Sequence, residues 1–184
     1  GRTADVSAGR FWLGDPLDGT KEFVNHRDKF TVNIGLIDNR QPVLGVVFAP
    51  ALDTLFAGTG PGTATVQRGS EAAKPISARR MPATGAVVTA SQSHGDMNKI
   101  QELMDRHSID KMKVVGSSIK FCLIAEGEAD IYPRYGNTCE WDTAAAHAVL
   151  AAAGGSVRSL DGTPLLYNKD KFLNDEFIAR GLDG

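Results

Sequence analysis

The chain has 184 residues, 42% of them hydrophobic and 23% charged, with a formal net charge of −2; that fits one large or two small globular domains able to bury a core. The near-neutral balance excludes a global attraction to a nucleic acid polymer or an acidic membrane, so any basic site for a phosphorylated molecule must be local. No apolar run approaches the roughly 20 residues that cross a bilayer, no signal-peptide pattern opens the sequence, and Cys122 and Cys139 have no metal-ligand or redox spacing, a usage suited to a reducing cytoplasm.

In chain order, Phe11-Trp12-Leu13 reads as a strand that stops at a turn, followed by the loop Asp15-Pro16-Leu17-Asp18-Gly19-Thr20. Residues 30–38 and 43–48 read as a hairpin around 39–42. Residues 53–58 and 63–68 add two strands separated by a glycine-rich turn, and the charged, proline-bearing segment 71–82 reads as an edge or linker. From Gly85 the pattern alternates: strand 86–90, helix 96–107 with Ile100, Leu103, Met104 and His107 on one face, strand 112–115, helix 117–127 and strand 129–133. A helix at 142–153 and strands near 156–159 and 176–180 complete it. Antiparallel strands followed by alternating strands and helices predict an α/β protein in the broad sense, an α+β layered sandwich. Residues 1–84 would carry the antiparallel sheet and an acidic loop, and 85–184 a second α/β domain with a substrate pocket.

The acidic loop carries the chemistry. Hard cations such as Mg²⁺ want several oxygens at short range, and Asp15, Asp18 and the Leu17 carbonyl could supply three from one turn. Gly19 lets the backbone approach an anion, and the Thr20 hydroxyl could orient a water. Asp-Pro and Asp-Gly are also ordinary turn dipeptides, so the loop alone leaves a plain turn open. A second motif shifts the balance. Residues 141–155 begin Trp141-Asp142-Thr143, continue through an alanine-rich body and end on two glycines, a helix with Asp142 as its N-cap. A carboxylate at a helix N-terminus would also serve as a third acidic ligand.

The two motifs together resemble the lithium-sensitive, Mg²⁺-dependent phosphatases of the inositol monophosphatase superfamily, and the resemblance covers essentially the whole chain. It implies that Asp15, Leu17 through its carbonyl, Asp18 and Asp142 hold two or three Mg²⁺. It further implies that Gly19 and Thr20 bind the scissile phosphate, with inhibition by Li⁺. Two departures stand out. Ala146 replaces the family's usual glycine in the first turn of that helix. The family also places a Glu ahead of the Asp-Pro loop, whereas here fourteen residues precede Asp15, none is Glu, and Asp5 is the one carboxylate among them. The expectation is a chain lacking the family's N-terminal helices and first acidic motif.

Asp18-Gly19-Thr20-Lys21-Glu22-Phe23, Gly116-Ser117-Ser118-Ile119-Lys120-Phe121-Cys122 and Ala129-Asp130-Ile131-Tyr132-Pro133-Arg134 are similar to the bisphosphate nucleotidase branch. That branch removes the 3'-phosphate of 3'-phosphoadenosine 5'-phosphate. The resemblance assigns substrate contacts to Ser117, Lys120 and Arg134, and a nucleotide contact to His94. Ser117 and Lys120, three apart, would share one face of a helix start whose free N–H groups favour an anion. The competing local reading makes Ser117 or Ser118 a cap and Lys120 a solvated lysine. The partner expected is a small phosphorylated molecule in the cytoplasm or at the inner face of the cell membrane. Alternative readings are an inositol monophosphatase and a nucleotide-binding chain impaired in turnover. An aspartyl-phosphate phosphatase would need its two acids two residues apart, and Asp15 and Asp18 are three apart.

Overall fold

The computed structural model describes residues 9–26, 28–91, 99, 102 and 108–182. Six consecutive antiparallel strands form the first sheet: β1 (Arg10–Asp18), β2 (Thr31–Asp38), β3 (Gln41–Ala49), β4 (Thr54–Gly58), β5 (Thr65–Arg68) and β6 (Lys74–Pro75). The expected hairpin is present with a tighter turn. Asn39 and Arg40 carry φ of +49° and +65°, a two-residue turn of the kind whose twist suits antiparallel strands. Arg40 holds that strained conformation because Tyr167 N–H donates to its carbonyl at 3.1 Å while its own Nε donates to the Tyr167 carbonyl at 3.0 Å. The segment expected as an edge or linker supplies the short edge strand β6.

Period-2 alternation buries one face of this sheet: Phe11, Leu13, Ile37, Val47 and Phe56 all point inward. The other face is apolar too. Cross-strand pairs Trp12–Leu36, Ile34–Val46 and Val32–Phe48 line it. Trp12 and Ile34 stand 58% and 48% exposed, far more than such side chains keep once a layer covers them.

The second sheet, in the order β11 (Ser156–Ser159), β13 (Phe177–Arg180), β9 (Ile131–Arg134), β7 (Ala86–Ala90), β8 (Ile109–Val114), is mixed. β7 runs parallel to both β8 and β9, and the β9–β13–β11 side is antiparallel. Of the expected helix at 96–107, Lys99 and Glu102 are described, both helical, and the rest lies outside the described residues. β10 (Thr138–Cys139) and β12 (Leu173–Asn174) make a two-stranded ribbon that local pattern did not reveal.

Between the sheets lie α2 (Ile119–Ala125) and α3 (Ala144–Ala152); the short α1 (Thr20–Val24) follows β1. The fit of α3 explains its alanines. Gly35, Gly45 and Gly58 are direct cross-strand partners on β2, β3 and β4, a glycine row across the buried face. A Cβ on Gly45 would fall 1.9 Å from the Ala145 carbonyl oxygen, and one on Gly58 2.7 Å from the Ala152 Cβ. Helix and sheet thus meet backbone to backbone, with Ala144, Ala145, Ala148 and Ala152 the side chains small enough to lie in the trough. Ala146 is also fully buried, in the main core, so its methyl is accommodated. One apolar cluster runs from Val47 and Phe56 through Phe121, Ile124, Val149 and Leu150 to Phe177 and Ala179.

Candidate functional site

β1 does not stop before the acidic loop. It runs on to Asp18, pairing Asp15 with Asn33 and Asp18 with Thr31 across a bulge. Pro16, which has no N–H for a ladder, falls inside that irregularity on the edge strand of the sheet, the place where a strand tolerates proline. The bulge re-aims the carboxylates. Leu17 N–H donates to Asp15 Oδ1 at 3.0 Å, and Thr20 Oγ1 donates to the Leu17 carbonyl at 3.2 Å. Gly19 then turns the chain with φ +87°. A Cβ there would meet the Lys29 carbonyl oxygen at 3.1 Å and Ser117 Cβ at 3.3 Å.

Asp18 is held from both sheets. Its Oδ2 accepts from Ser118 N–H at 2.6 Å and from Ser118 Oγ at 2.8 Å, with Thr31 Oγ1 at 3.3 Å and Asn33 Nδ2 at 3.4 Å behind them. Asp142 is not the N-cap of α3. It ends a 3₁₀ turn, Glu140–Asp142, and α3 starts at Ala144 after Thr143. Its Oδ2 reaches back to accept from Cys139 N–H at 2.8 Å. The turn is pinned from below by Glu140, fully buried, which accepts from the N–H groups of Asn168 and Lys169, both at 2.9 Å. Thr143 Oγ1 accepts from Tyr167 Oη at 3.2 Å and Asn174 Nδ2 at 2.9 Å, and Tyr167 Oη lies 3.0 Å from His147 Nδ1. Burial pushes the His147 imidazole down to about 3, so it is neutral packing behind the turn.

A cleft of about 240 Å³ opens where the sheets meet, lined among others by Asp18, Gly19, Thr20, Ser117, Lys120, Arg134 and Asp142. Asp15 is not among its lining residues, yet its charge and that of Asp18 act on Asp142. Burial first, then those two carboxylates, push Asp142 up to about 6, against the Cys139 N–H and the Arg134 guanidinium, which pull it down. Burial, with a smaller push from Asp18, also raises Asp15, while the Leu17 N–H lowers it. The donor set fits a hard dication: the Asp18 and Asp142 carboxylates face one cleft, and Asp15 and the Leu17 carbonyl stand at the bulge beside it. Among the described residues no three carboxylate, histidine or cysteine side chains close a cage around one ion. Mg²⁺ asks for less, since it keeps several waters and takes substrate oxygens in its remaining positions.

The other expected contacts sort differently from the pattern. Ser117 is not on α2; it precedes the helix in a left-handed conformation, φ +51°, with Ser118 as N-cap. Its Oγ is buried without a hydrogen-bond partner, as is Arg134 Nε at the end of β9. Lys120 is buried rather than solvated. Its Nζ donates to the Ser117 carbonyl at 2.6 Å and lies 5.1 Å above the Tyr132 ring, so it braces the turn that carries Ser117 as well as lining the cleft. His94 lies outside the described residues. Cys122 is buried, and burial pushes its thiol well up, as an inert core cysteine requires.

Sequence pattern had no means to find Ser118 and Asn33 as supports of Asp18, or Glu140 as the anchor of the Asp142 turn. Each acts across a long sequence separation.

Residues 2–181 match the model of the inositol monophosphatase family. The chain is 43% identical over 169 residues to the 3'(2'),5'-bisphosphate nucleotidase CysQ of Escherichia coli K12, covering 91% of this chain and 67% of that protein. It is 43% identical over 176 residues to the CysQ of Buchnera aphidicola, covering 94% and 64%. The chain therefore spans about two thirds of the length of these relatives. The crystal structure of CysQ from Bacteroides thetaiotaomicron superposes with a TM-score of 0.87 at 34% identity, over all of this chain and 75% of that one.

Proposed function

The chain belongs to the inositol monophosphatase family, and on that premise we propose that it is a Mg²⁺-dependent phosphatase. Its substrate would be 3'-phosphoadenosine 5'-phosphate, cut at the 3'-phosphate to give AMP and inorganic phosphate. The observation that carries the reading is the pair of unpartnered buried atoms, Ser117 Oγ and Arg134 Nε, in the same cleft that Asp18 and Asp142 line. A buried polar group without a partner costs about 1–3 kcal/mol, which a ligand that bonds it would recover. A guanidinium facing a cleft asks for an anion, and the carboxylates beside it ask for a cation. A substrate with two phosphates answers both, one phosphate at the carboxylate end and the other at the basic end.

When bound, Mg²⁺ would supply Lewis-acid polarisation of the scissile phosphate and make a water more acidic. Asp15, Asp18 and Asp142, with the Leu17 carbonyl, would hold it. The main-chain N–H groups of Gly19 and Thr20 would bind oxygens of the scissile phosphate. Thr20 Oγ1, anchored by its proton to the Leu17 carbonyl, keeps lone pairs to accept a hydrogen bond from the attacking water and orient it in line. Arg134 and Ser117 would take the phosphate that is not cleaved, with the Lys120 charge beneath them. His94 would contact the nucleotide.

The test is Mg²⁺-dependent phosphate release, comparing 3'-phosphoadenosine 5'-phosphate with inositol 1-phosphate. Preference for the nucleotide supports the reading. Preference for inositol phosphate would overturn the roles of Ser117 and Arg134 while keeping the carboxylates. Release from neither, by a protein that binds the nucleotide, would favour a binding protein.

A further inference from the structure

We infer that Ser118 is a positioning residue that joins the two halves of the metal site, fixing the Asp18 carboxylate against the main chain of Asp142. The inference rests on the proposed role of Asp18 as a metal ligand and goes beyond it. Ser118 is nearly fully buried and sits at the start of α2, on the side of the mixed sheet, 100 residues from Asp18. Its N–H and its hydroxyl both meet Asp18 Oδ2, at 2.6 and 2.8 Å. The same hydroxyl lies 3.0 Å from the Asp142 carbonyl oxygen, and Asn33 Nδ2 donates to it at 3.0 Å.

One hydroxyl has one proton and two lone pairs. Asn33 occupies a lone pair, so the proton is left to choose between the Asp18 carboxylate and the Asp142 carbonyl. Either way Ser118 Oγ stands at the point where β1, β2, α2 and the Glu140–Asp142 turn converge. An outer partner that orients a carboxylate acts on metal affinity through the angle it imposes on the ligand. Here it also sets the spacing between two ligands that come from distant parts of the chain. Ser118 itself points no oxygen at the cleft, whose lining includes its neighbour Ser117 and not Ser118.

The experiment measures Mn²⁺ binding by electron paramagnetic resonance, and melting temperature with and without Mg²⁺, for Ser118→Ala, Ser118→Cys, Ser118→Thr and Asp18→Asn. Loss of the hydroxyl should weaken Mn²⁺ affinity about 10- to 100-fold and narrow the gap between the melting temperatures with and without Mg²⁺. Ser118→Thr, which restores a hydroxyl, should recover the affinity. Ser118→Cys fills the same space with a weak donor, so it carries the test if the alanine variant does not fold. A merely structural role would lower both melting temperatures equally and leave Mn²⁺ affinity unchanged, and that result overturns the inference. If Asp18→Asn loses Mn²⁺ affinity while Ser118→Ala and Ser118→Cys keep it, the Ser118 role fails alone. If Asp18→Asn also keeps it, the metal-site reading fails with it.

Discussion

Gly45 lies so close beneath Ala145 that a Cβ would enter the space of the Ala145 carbonyl oxygen, at 1.9 Å. Neither group is a flexible side chain, so the contact is relieved only by moving helix against sheet. That contact sets the depth of α3 and, through Thr143, the position of the turn bearing Asp142.

Gly45→Ala should therefore destabilise the fold by about 3 kcal/mol or more, at or beyond the usual range for overpacking, and should lower metal affinity with it. Gly14→Ala, whose Cβ would meet nothing nearer than the Asn33 carbonyl oxygen at 3.9 Å, should cost less than about 1 kcal/mol. Urea unfolding of the two variants checks the contrast.

Asp142 gives a pH signature without metal. Its carboxyl is pushed up from the ordinary 3.8 to about 6, so between about pH 4 and 6 the native state binds more protons than the unfolded chain, and stability falls as pH rises through that window. Asp142→Asn should flatten the fall, and Mg²⁺ at neutral pH should offset it. Melting temperature against pH, with chelator and with Mg²⁺, reads all three.

Asp15→Asn and Asp142→Asn should each nearly abolish turnover, and rates near wild type at saturating Mg²⁺ would refute their roles. Arg134→Ala should raise KM for the bisphosphorylated nucleotide about tenfold to a hundredfold, the weight of one or two hydrogen bonds from a charged group. A simple monophosphate substrate should be affected less. Equal losses on both substrates would argue against the assignment.

Glu140→Ala would leave the N–H groups of Asn168 and Lys169 without their acceptor and the Lys169 ammonium without its partner at 3.0 Å. Removing one member of a buried pair costs about 3–5 kcal/mol. Chemical unfolding measures the cost, and the variant's Mg²⁺ requirement should rise as the Asp142 turn loosens.

The apolar outer face of the first sheet should bind an environment-sensitive apolar dye, because contiguous patches of this kind are rare on soluble monomers. Trp12→Lys with Ile34→Glu should lower that dye fluorescence without lowering the melting temperature by more than a few degrees. Unchanged fluorescence would locate the dye elsewhere.

Much of this was legible in the chain. The Asp-Pro-Leu-Asp-Gly-Thr run and Trp141-Asp142 pointed to the acidic residues proposed for the site, and apolar runs located the strands of both sheets apart from β6. Local pattern failed where a distant partner decided the outcome. Pro16 read as the end of a strand, but an edge strand with a bulge tolerates it, and β1 continues to Asp18. Asp142 read as a cap because it is an aspartate ahead of alanines, yet the Cys139 N–H claims its carboxylate first. Ser117 and Lys120 read as one helical face, but the left-handed turn at Ser117 breaks the period between them. The ribbon of Thr138–Cys139 with Leu173–Asn174 is too short to carry any pattern.

The cleft draws its groups from two separately built scaffolds. Asp18 rides on the last residue of an antiparallel edge strand, whereas Ser117 rides on the loop before α2 and Arg134 on the mixed sheet. On the proposed roles, exchange of side chains at 117 and 134 should retune which phosphorylated molecule is admitted while leaving the strand that carries Asp18 unchanged. The two supports meet at Ser118, whose N–H and hydroxyl reach across to Asp18, so substitution at 118 should be tolerated less than at 117 or 134.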